Sequence, residues 1–110
     1  MNMQSINRNF LFLKAYKSKL SYVSPFLVSY VMPRKNGGVR LGITTSKKMG
    51  GAVERNRARR LVRAAVQQIT KEYSGNFDLV VVCRRAILTK KSTEVQQTLL
   101  SHLQQANVLS

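Results

Sequence analysis

The sequence has few of the residues from which protein-borne catalytic or metal centres are built. Its 110 residues include only four acids, one cysteine and one histidine. The acids, Glu54, Glu72, Asp78 and Glu94, are scattered, whereas carboxylates that act together on one bond or hold two metal ions need closer grouping. A single cysteine excludes an internal disulfide, and no Cys/His group has metal-ligand spacing. The composition therefore disfavours an autonomous nuclease.

The lone cysteine and the lone histidine are both expected to be structural. Cys83 ends an apolar run, so it is most simply a small core residue, and a buried thiol is inert. His102 lies beside Leu99 and Leu103 at helical spacing, which favours a half-exposed structural residue over a catalytic base.

Long apolar runs are also missing. The longest, such as Leu79 to Cys83, fall far below the ~20 residues that span a membrane. The N-terminus has no basic segment followed by a long apolar stretch, so we expect no signal peptide. The expected location is cytoplasmic, with no membrane partner.

Positive charge is what the sequence has in excess. It contains 19 Lys and Arg against 4 Asp and Glu, a formal net charge of +15. The first acid is Glu54, and nine basic residues precede it. Because such self-repulsion opposes compaction, a polyanionic partner is the economical explanation. Nucleic acid is the first candidate and an anionic membrane surface the second.

The basic residues concentrate in residues 47–63, KKMGGAVERNRARRLVR, where seven of seventeen are Lys or Arg. At 100° per residue this segment predicts an amphipathic helix. One side carries Ala58, Leu61, Val62, Ala65 and Ile69, the opposite side carries Asn56, Arg60, Arg63 and Gln67, and Arg55, Arg57 and Arg59 lie on the flanks. Guanidinium groups match phosphate oxygens in pairs, so the polar side is predicted to bind phosphate.

The remaining pattern predicts an α+β fold in one domain, residues 1–110, with residues 1–6 as a loose arm. A helix is expected over 7–17, and a strand from Tyr22 to Met32. Alternation places Phe26, Val28 and Tyr30 on one face of that strand, and Leu27, Ser29 and Val31 on the other. A turn over 33–38 leads to a strand at 39–45, so the two strands are predicted to form an antiparallel hairpin.

The second half of the chain predicts a long helix over 52–73, ended by a left-handed cap within Ser74-Gly75-Asn76. The run 78–83 is short, apolar and β-branched, which indicates a central strand buried on both faces. A last helix follows, with Val95, Leu99, Leu103 and Ala106 as its apolar stripe.

The basic segment also resembles the signature of the bacterial ribonuclease P protein subunit. The matching residues are Lys47, Lys48, Gly50, Ala52, Val53, Arg55, Asn56, Arg57, Arg60, Leu61 and Arg63. The resemblance implies an αβββαβα order, a small, mostly antiparallel sheet and a left-handed β-α-β crossover. It also implies that a catalytic RNA, holding most of the Mg²⁺, removes the 5′ leader of precursor tRNA. The protein would then be a basic cofactor that raises affinity for precursor tRNA and for the metal ions.

The resemblance assigns two surfaces. The basic motif, expected to face the catalytic RNA, comprises Lys47, Lys48, Arg55, Asn56, Arg57, Arg60 and Arg63. The leader cleft, expected to hold the single-stranded 5′ leader, takes Phe12, Tyr16 and Tyr30 from the family, Phe26 and Val28 from Tyr30's side of the strand, and Arg84 to follow the backbone. No protein metal site and no obligate protein partner are expected.

Two other functions remain open from the residues. A ribosomal or other structural RNA-binding protein would share the charge and size but would need no aromatic cleft. A DNA-binding regulator could use residues 52–70 as a recognition helix. A helix-turn-helix requires a second helix just before it, however, and here a strand and Gly50-Gly51 precede.

Overall fold

The structure is a computed structural model that describes the backbone of residues 3–5 and all of residues 20–110. The helix predicted over 7–17 lies outside the described residues, as do Phe12 and Tyr16.

The described elements confirm an α+β fold. The strands are β1 (Met3–Ser5), β2 (Ser21–Val23), β3 (Leu27–Pro33), β4 (Val39–Thr45) and β5 (Phe77–Cys83), and the helices are α1 (Ala52–Glu72) and α2 (Ser92–Gln105). Short 3₁₀ helices, Lys47–Met49 and Arg85–Thr89, follow β4 and β5. Within the described ranges, no helix is both long and apolar enough to cross a membrane.

The five strands form one sheet in the order β1-β4-β5-β3-β2, with β5 at its centre. One edge of β5 pairs antiparallel with β3, placing Tyr30 opposite Val80. The other edge pairs in parallel with β4, placing Thr45 opposite Cys83. The outer pairs are β1 with β4, in parallel, and β2 with β3, antiparallel. The sheet is therefore mixed rather than mostly antiparallel.

The predicted antiparallel hairpin between the strands over 22–32 and 39–45 is wrong, because β5 lies between β3 and β4. The predicted strand over 22–32 is two strands, interrupted where the Ser24 hydroxyl bonds to the backbone of Leu27. The loose arm expected over residues 1–6 is also wrong for β1, whose backbone pairs with Val39 to Leu41. β4, α1 and β5 form a β-α-β unit, whose handedness stays a prediction of the resemblance.

The loop from β3 to β4 is a turn, as predicted. Gly37 and Gly38 both have positive φ, 93° and 74°. The Gly38 N–H donates to Asn76 Oδ1 at 2.8 Å, which ties this turn to the segment after α1. The left-handed cap predicted within residues 74–76 is wrong, because none of them has positive φ. Gly75 is instead required by close packing, since a Cβ there would lie 2.6 Å from the Val108 carbonyl oxygen.

The main core lies between one face of the sheet and the two helices. The sheet contributes Leu27, Val31, Val39, Leu41, Phe77, Leu79, Val81 and Cys83, α1 contributes Ala58, Val62, Ala65, Val66 and Ile69, and α2 contributes Val95, Leu99 and Leu103. Val80, on the opposite face of β5, is also fully buried, so β5 is buried on both faces as predicted. This packing fixes α1 against the sheet and determines which side of it meets solvent.

Candidate nucleic-acid interface

Helix α1 presents the two sides that its periodicity predicts. Ala58, Val62, Ala65, Val66 and Ile69 are buried, and Leu61 is half-buried against the core. On the opposite side Asn56, Arg60, Arg63 and Gln67 are exposed. The apolar side holds the helix on the sheet, so the polar side is displayed as a fixed surface.

The two lysines of the basic motif precede this helix on the 3₁₀ helix Lys47–Met49. Met49 is 2% exposed and anchors the turn in the core, while Lys47 and Lys48 are exposed. Gly50 then adopts φ 144°, a conformation that side chains rarely adopt, and redirects the chain into α1. The loop therefore carries its lysines to the N-terminal end of α1, where free backbone N–H groups also favour anions.

A groove of about 510 Å³ opens on the polar side of α1 and is lined by Val53, Asn56, Arg59, Arg60 and Arg63. Val53 is 76% exposed, so the groove contains an apolar contact surface as well as cations. Arg59, which also lines the groove, is half-buried. Its Nη1 donates to Asn56 Oδ1 at 3.0 Å and its Nη2 to Thr45 Oγ1 at 3.1 Å.

The positive charge of this surface is uncompensated. The side chain of Asp78 is only 5% exposed, and its carboxylate accepts hydrogen bonds from Nε and Nη2 of Arg40, each 2.7 Å long. Nη1 of Arg34 lies 3.6 Å from Asp78 Oδ1. Glu94 pairs with Lys90. Over the described part of the chain, none of the five arginines of α1 forms an ion pair with an acid. The arginines of the basic motif therefore repel one another, and this repulsion favours the binding of an external anion.

The second predicted surface is only partly assembled by the described residues. In the sheet Tyr30, which is half-buried, lies between Ser21 and Val80, and Val28 lies between Val23 and Val82. These residues share the face opposite the helices.

The other two described members of the predicted cleft lie apart from this row. Phe26 precedes β3 and belongs to the main core cluster, with Lys90 Nζ 5.4 Å from its ring centroid, so the alternation predicted for β3 does not extend to it. Arg84 is exposed and donates to the Ser24 carbonyl oxygen at 3.5 Å.

The lone cysteine and histidine are embedded in the fold. Burial raises the pKa of the Cys83 thiol to about 12, so the thiolate is strongly disfavoured. His102 is 6% exposed, more buried than predicted, and its Nδ1 lies 2.8 Å from Ser29 Oγ. Its ring stacks on Tyr22 at 5.7 Å, and burial lowers its pKa. Both residues stabilise the packing of the sheet on the helices.

The predicted basic motif leaves out three contributors to the α1 surface, Val53, Arg59 and Thr45. Two of them carried a signal in the sequence, because Val53 is an apolar residue off the predicted stripe and matches a family position, and Arg59 lies on the flank of the basic helix. Thr45 carries no such signal, since its contact with Arg59 joins residues that are fourteen positions apart on different elements.

Comparison with known proteins decides the family. A family model described as ribonuclease P matches residues 1–107. The chain belongs to the ribonuclease P protein family. The ribonuclease P protein component of Shouchella clausii is 34% identical over 108 residues, covering 97% of this chain and 88% of that protein. That of Chloroflexus aurantiacus is 34% identical over 90 residues, covering 81% and 67%.

Solved structures agree with this assignment. The ribonuclease P protein of Staphylococcus aureus superposes with a TM-score of 0.79 at 29% identity, over 96% of this chain and 97% of that one. The ribonuclease P protein of Thermotoga maritima gives 0.73 at 26% identity, over 89% and 91%. Membership of this family makes the chain an RNA-processing subunit that works with ribonuclease P RNA, in a ribonucleoprotein that processes tRNA.

Proposed function

We propose that the basic motif binds the catalytic ribonuclease P RNA, while the sheet face that carries Val28 and Tyr30 binds the 5′ leader of precursor tRNA. The observation that carries the proposal is the fixed polar side of α1, whose arginines have no acidic partner among the described residues. Each RNA phosphate that they neutralise releases condensed counterions, so binding should weaken steeply with salt.

The proposal assigns bond cleavage to the RNA. Asp78 is the most buried acid, and Arg40 occupies both of its oxygens. Glu94 is paired with Lys90, and Glu54 and Glu72 lie at opposite ends of α1. In the described part of the chain, no group of three His, Cys, Asp or Glu side chains could hold a metal ion. These donors do not fit a protein-borne Mg²⁺ site, so the proposal leaves Mg²⁺ mainly with the RNA.

Reconstitution tests the division of roles. The purified protein is combined with a bacterial ribonuclease P RNA and a 5′-extended tRNA at low Mg²⁺. Cleavage is expected only when protein and RNA are both present. Cleavage by the protein alone, or no rescue of the RNA at low Mg²⁺, would refute the proposal.

The RNA-facing surface is tested by comparing arginines in the middle of α1 with a lysine in its last turn. Arg60→Ala and Arg63→Ala should each weaken binding to the catalytic RNA and reduce the slope of log K against log salt by about one. Lys71→Ala is the matched control, because Lys71 is an exposed cation in the last turn of α1. An equal effect of all three variants would point to unspecific attraction.

The leader surface is tested with two variants of Tyr30, one that removes the aromatic ring and one that removes only the hydroxyl. Tyr30→Ala should weaken binding of a leader-bearing substrate by about 1–3 kcal/mol, the value of one base stacked on an aromatic ring, and should leave a leaderless tRNA unaffected. Tyr30→Phe keeps the ring and should retain binding. Equal losses for both substrates would remove Tyr30 from the cleft.

A further inference from the structure

Arg59 is the arginine of α1 that the described residues hold through side-chain acceptors, whereas Arg55 donates only to the Gly51 carbonyl oxygen, at 3.3 Å. Arg59 spans from the helix to the last residue of β4, donating through Nη2 to Thr45 Oγ1 and through Nη1 to Asn56 Oδ1. It is half-buried, whereas Arg60 and Arg63 are exposed. Its guanidinium plane is therefore held by two acceptors from two different elements.

The hydrogen bond from Arg59 determines which group the side chain of Asn56 can offer to a ligand. A carboxamide can present either its oxygen or its amino group to a ligand, because it can rotate by half a turn. Here Arg59 occupies the oxygen, and no described residue accepts a hydrogen bond from the amino group. Asn56 therefore has two donors left, in a groove that it shares with Arg60 and Arg63.

We propose that Arg59 is a positioning residue: by bridging Thr45 and Asn56, it fixes the carboxamide of Asn56 as a hydrogen-bond donor to RNA. The polar side chains that line the groove, Asn56, Arg59, Arg60 and Arg63, then offer donors to a ligand, which favours acceptor-rich groups such as phosphate and ribose oxygens. This inference rests on the proposed RNA-binding role of the basic motif and adds which residue orients it.

Thr45 allows the bridge to be removed without altering charge. Thr45→Val keeps the shape and the strand propensity of the residue but deletes the acceptor. With one anchor lost, affinity for ribonuclease P RNA should fall roughly three- to tenfold, the value of a single oriented hydrogen bond. The salt slope should stay unchanged, because the variant removes no cation that neutralises a phosphate and Asn56 is uncharged. Thr98→Val, on α2, is the matched control and should bind as the unaltered protein does.

Two further variants separate positioning from general stability. Arg59→Lys keeps the charge but cannot bridge two acceptors in one plane, so it should lose affinity as Thr45→Val does, again at constant salt slope. In an Asn56→Ala background, Thr45→Val should have no further effect, because the group that the bridge orients is gone.

RNA affinity is measured with the full-length protein across a salt series, beside urea unfolding of each variant. Unchanged affinity in Thr45→Val, or additive losses in Thr45→Val/Asn56→Ala, would overturn the positioning role. Failure of the unaltered protein to bind ribonuclease P RNA would instead overturn the proposed function. The two failures are therefore distinguishable.

Discussion

The ion pair of Asp78 can be removed to test whether the acids of this chain are structural. Asp78 lies in the central strand, opposite Arg40 on β4 and Met32 on β3. Its carboxylate accepts two hydrogen bonds from Arg40, both 2.7 Å long, and the side chains of Arg40 and Arg34 are 27% and 25% exposed. The hydrogen bond to Asp78 raises the pKa of Arg40, as expected for a guanidinium held in its charged form.

Asp78→Asn is the perturbation, because it preserves shape and removes the charge. The amide oxygen can still accept one hydrogen bond from Arg40, but the amino group would face a guanidinium donor. Breaking a buried pair costs 3–5 kcal/mol, and the partial exposure of the arginines places this site at the low end. We expect a loss of about 3 kcal/mol in the free energy of unfolding, or about 13 °C in Tm for a domain of this size.

Urea unfolding followed by far-ultraviolet circular dichroism measures the loss. Arg34→Ala is the graded comparison, and it should cost about 1 kcal/mol or less because its Nη1 lies 3.6 Å from the carboxylate. Asp78→Leu/Arg40→Met should recover much of the stability, since replacing both partners leaves no buried charge unpaired. A loss below 1 kcal/mol for Asp78→Asn would refute this reasoning.

The same variant separates structure from chemistry. In the reconstituted holoenzyme, below its own Tm, Asp78→Asn should support tRNA processing at the unaltered rate, because the carboxylate is predicted to touch neither substrate nor metal. Loss of cleavage in a folded, RNA-bound variant would mean that Asp78 takes part in the reaction.

Two further predictions concern the loop before α1 and the buried histidine. Gly50→Ala should lower the free energy of unfolding in urea by about 1–2 kcal/mol, because φ is 144° and the new Cβ would lie 3.0 Å from Glu54 Cγ. Gly51→Ala is the control and should be tolerated, because its new Cβ would have its nearest contact at 3.4 Å. Equal losses for the two variants would contradict the backbone argument. Burial lowers the pKa of His102 below its ordinary 6.5, so the folded state holds this proton less tightly than the unfolded state and stability should decline as pH falls below about 6.5. His102→Gln should flatten this pH dependence in urea unfolding between pH 7.5 and 5, and an unchanged profile would exclude His102 as its source.

Features encoded within one element were predictable from the sequence. The apolar period of α1 identified the side that packs on the sheet, and the same period identified Arg60 and Arg63 as exposed. The continuous apolar run of β5 identified a strand buried on both faces. In each case, the pattern of side chains along one helix or strand specifies which faces are buried.

Features that depend on two elements meeting were not predictable in this way. In the sequence Phe26 continues the alternation of β3. In the structure, hydrogen bonds between the Ser24 hydroxyl and the backbone of Leu27 interrupt the strand before Leu27, and Phe26 lies in the main core. The bridge from Arg59 to Thr45 likewise needs the end of β4 beside α1. Such contacts follow from register and packing, which a local pattern does not specify.

The order of the strands follows from two features taken together, the burial of β5 on both faces and the length of the connection from β4 to β5. Side-chain alternation reports the faces of a strand and says nothing about its edges, so a short glycine turn between β3 and β4 suggested a hairpin. A strand buried on both faces needs a neighbour on each edge, and α1 joins β4 to β5 as a crossover long enough for parallel pairing. Once β4 occupies one edge of β5, the other edge is left for β3 and the hairpin cannot form. The ends of β4 and β5 then lie side by side, which brings Thr45 to Cys83 and gives Arg59 its anchor.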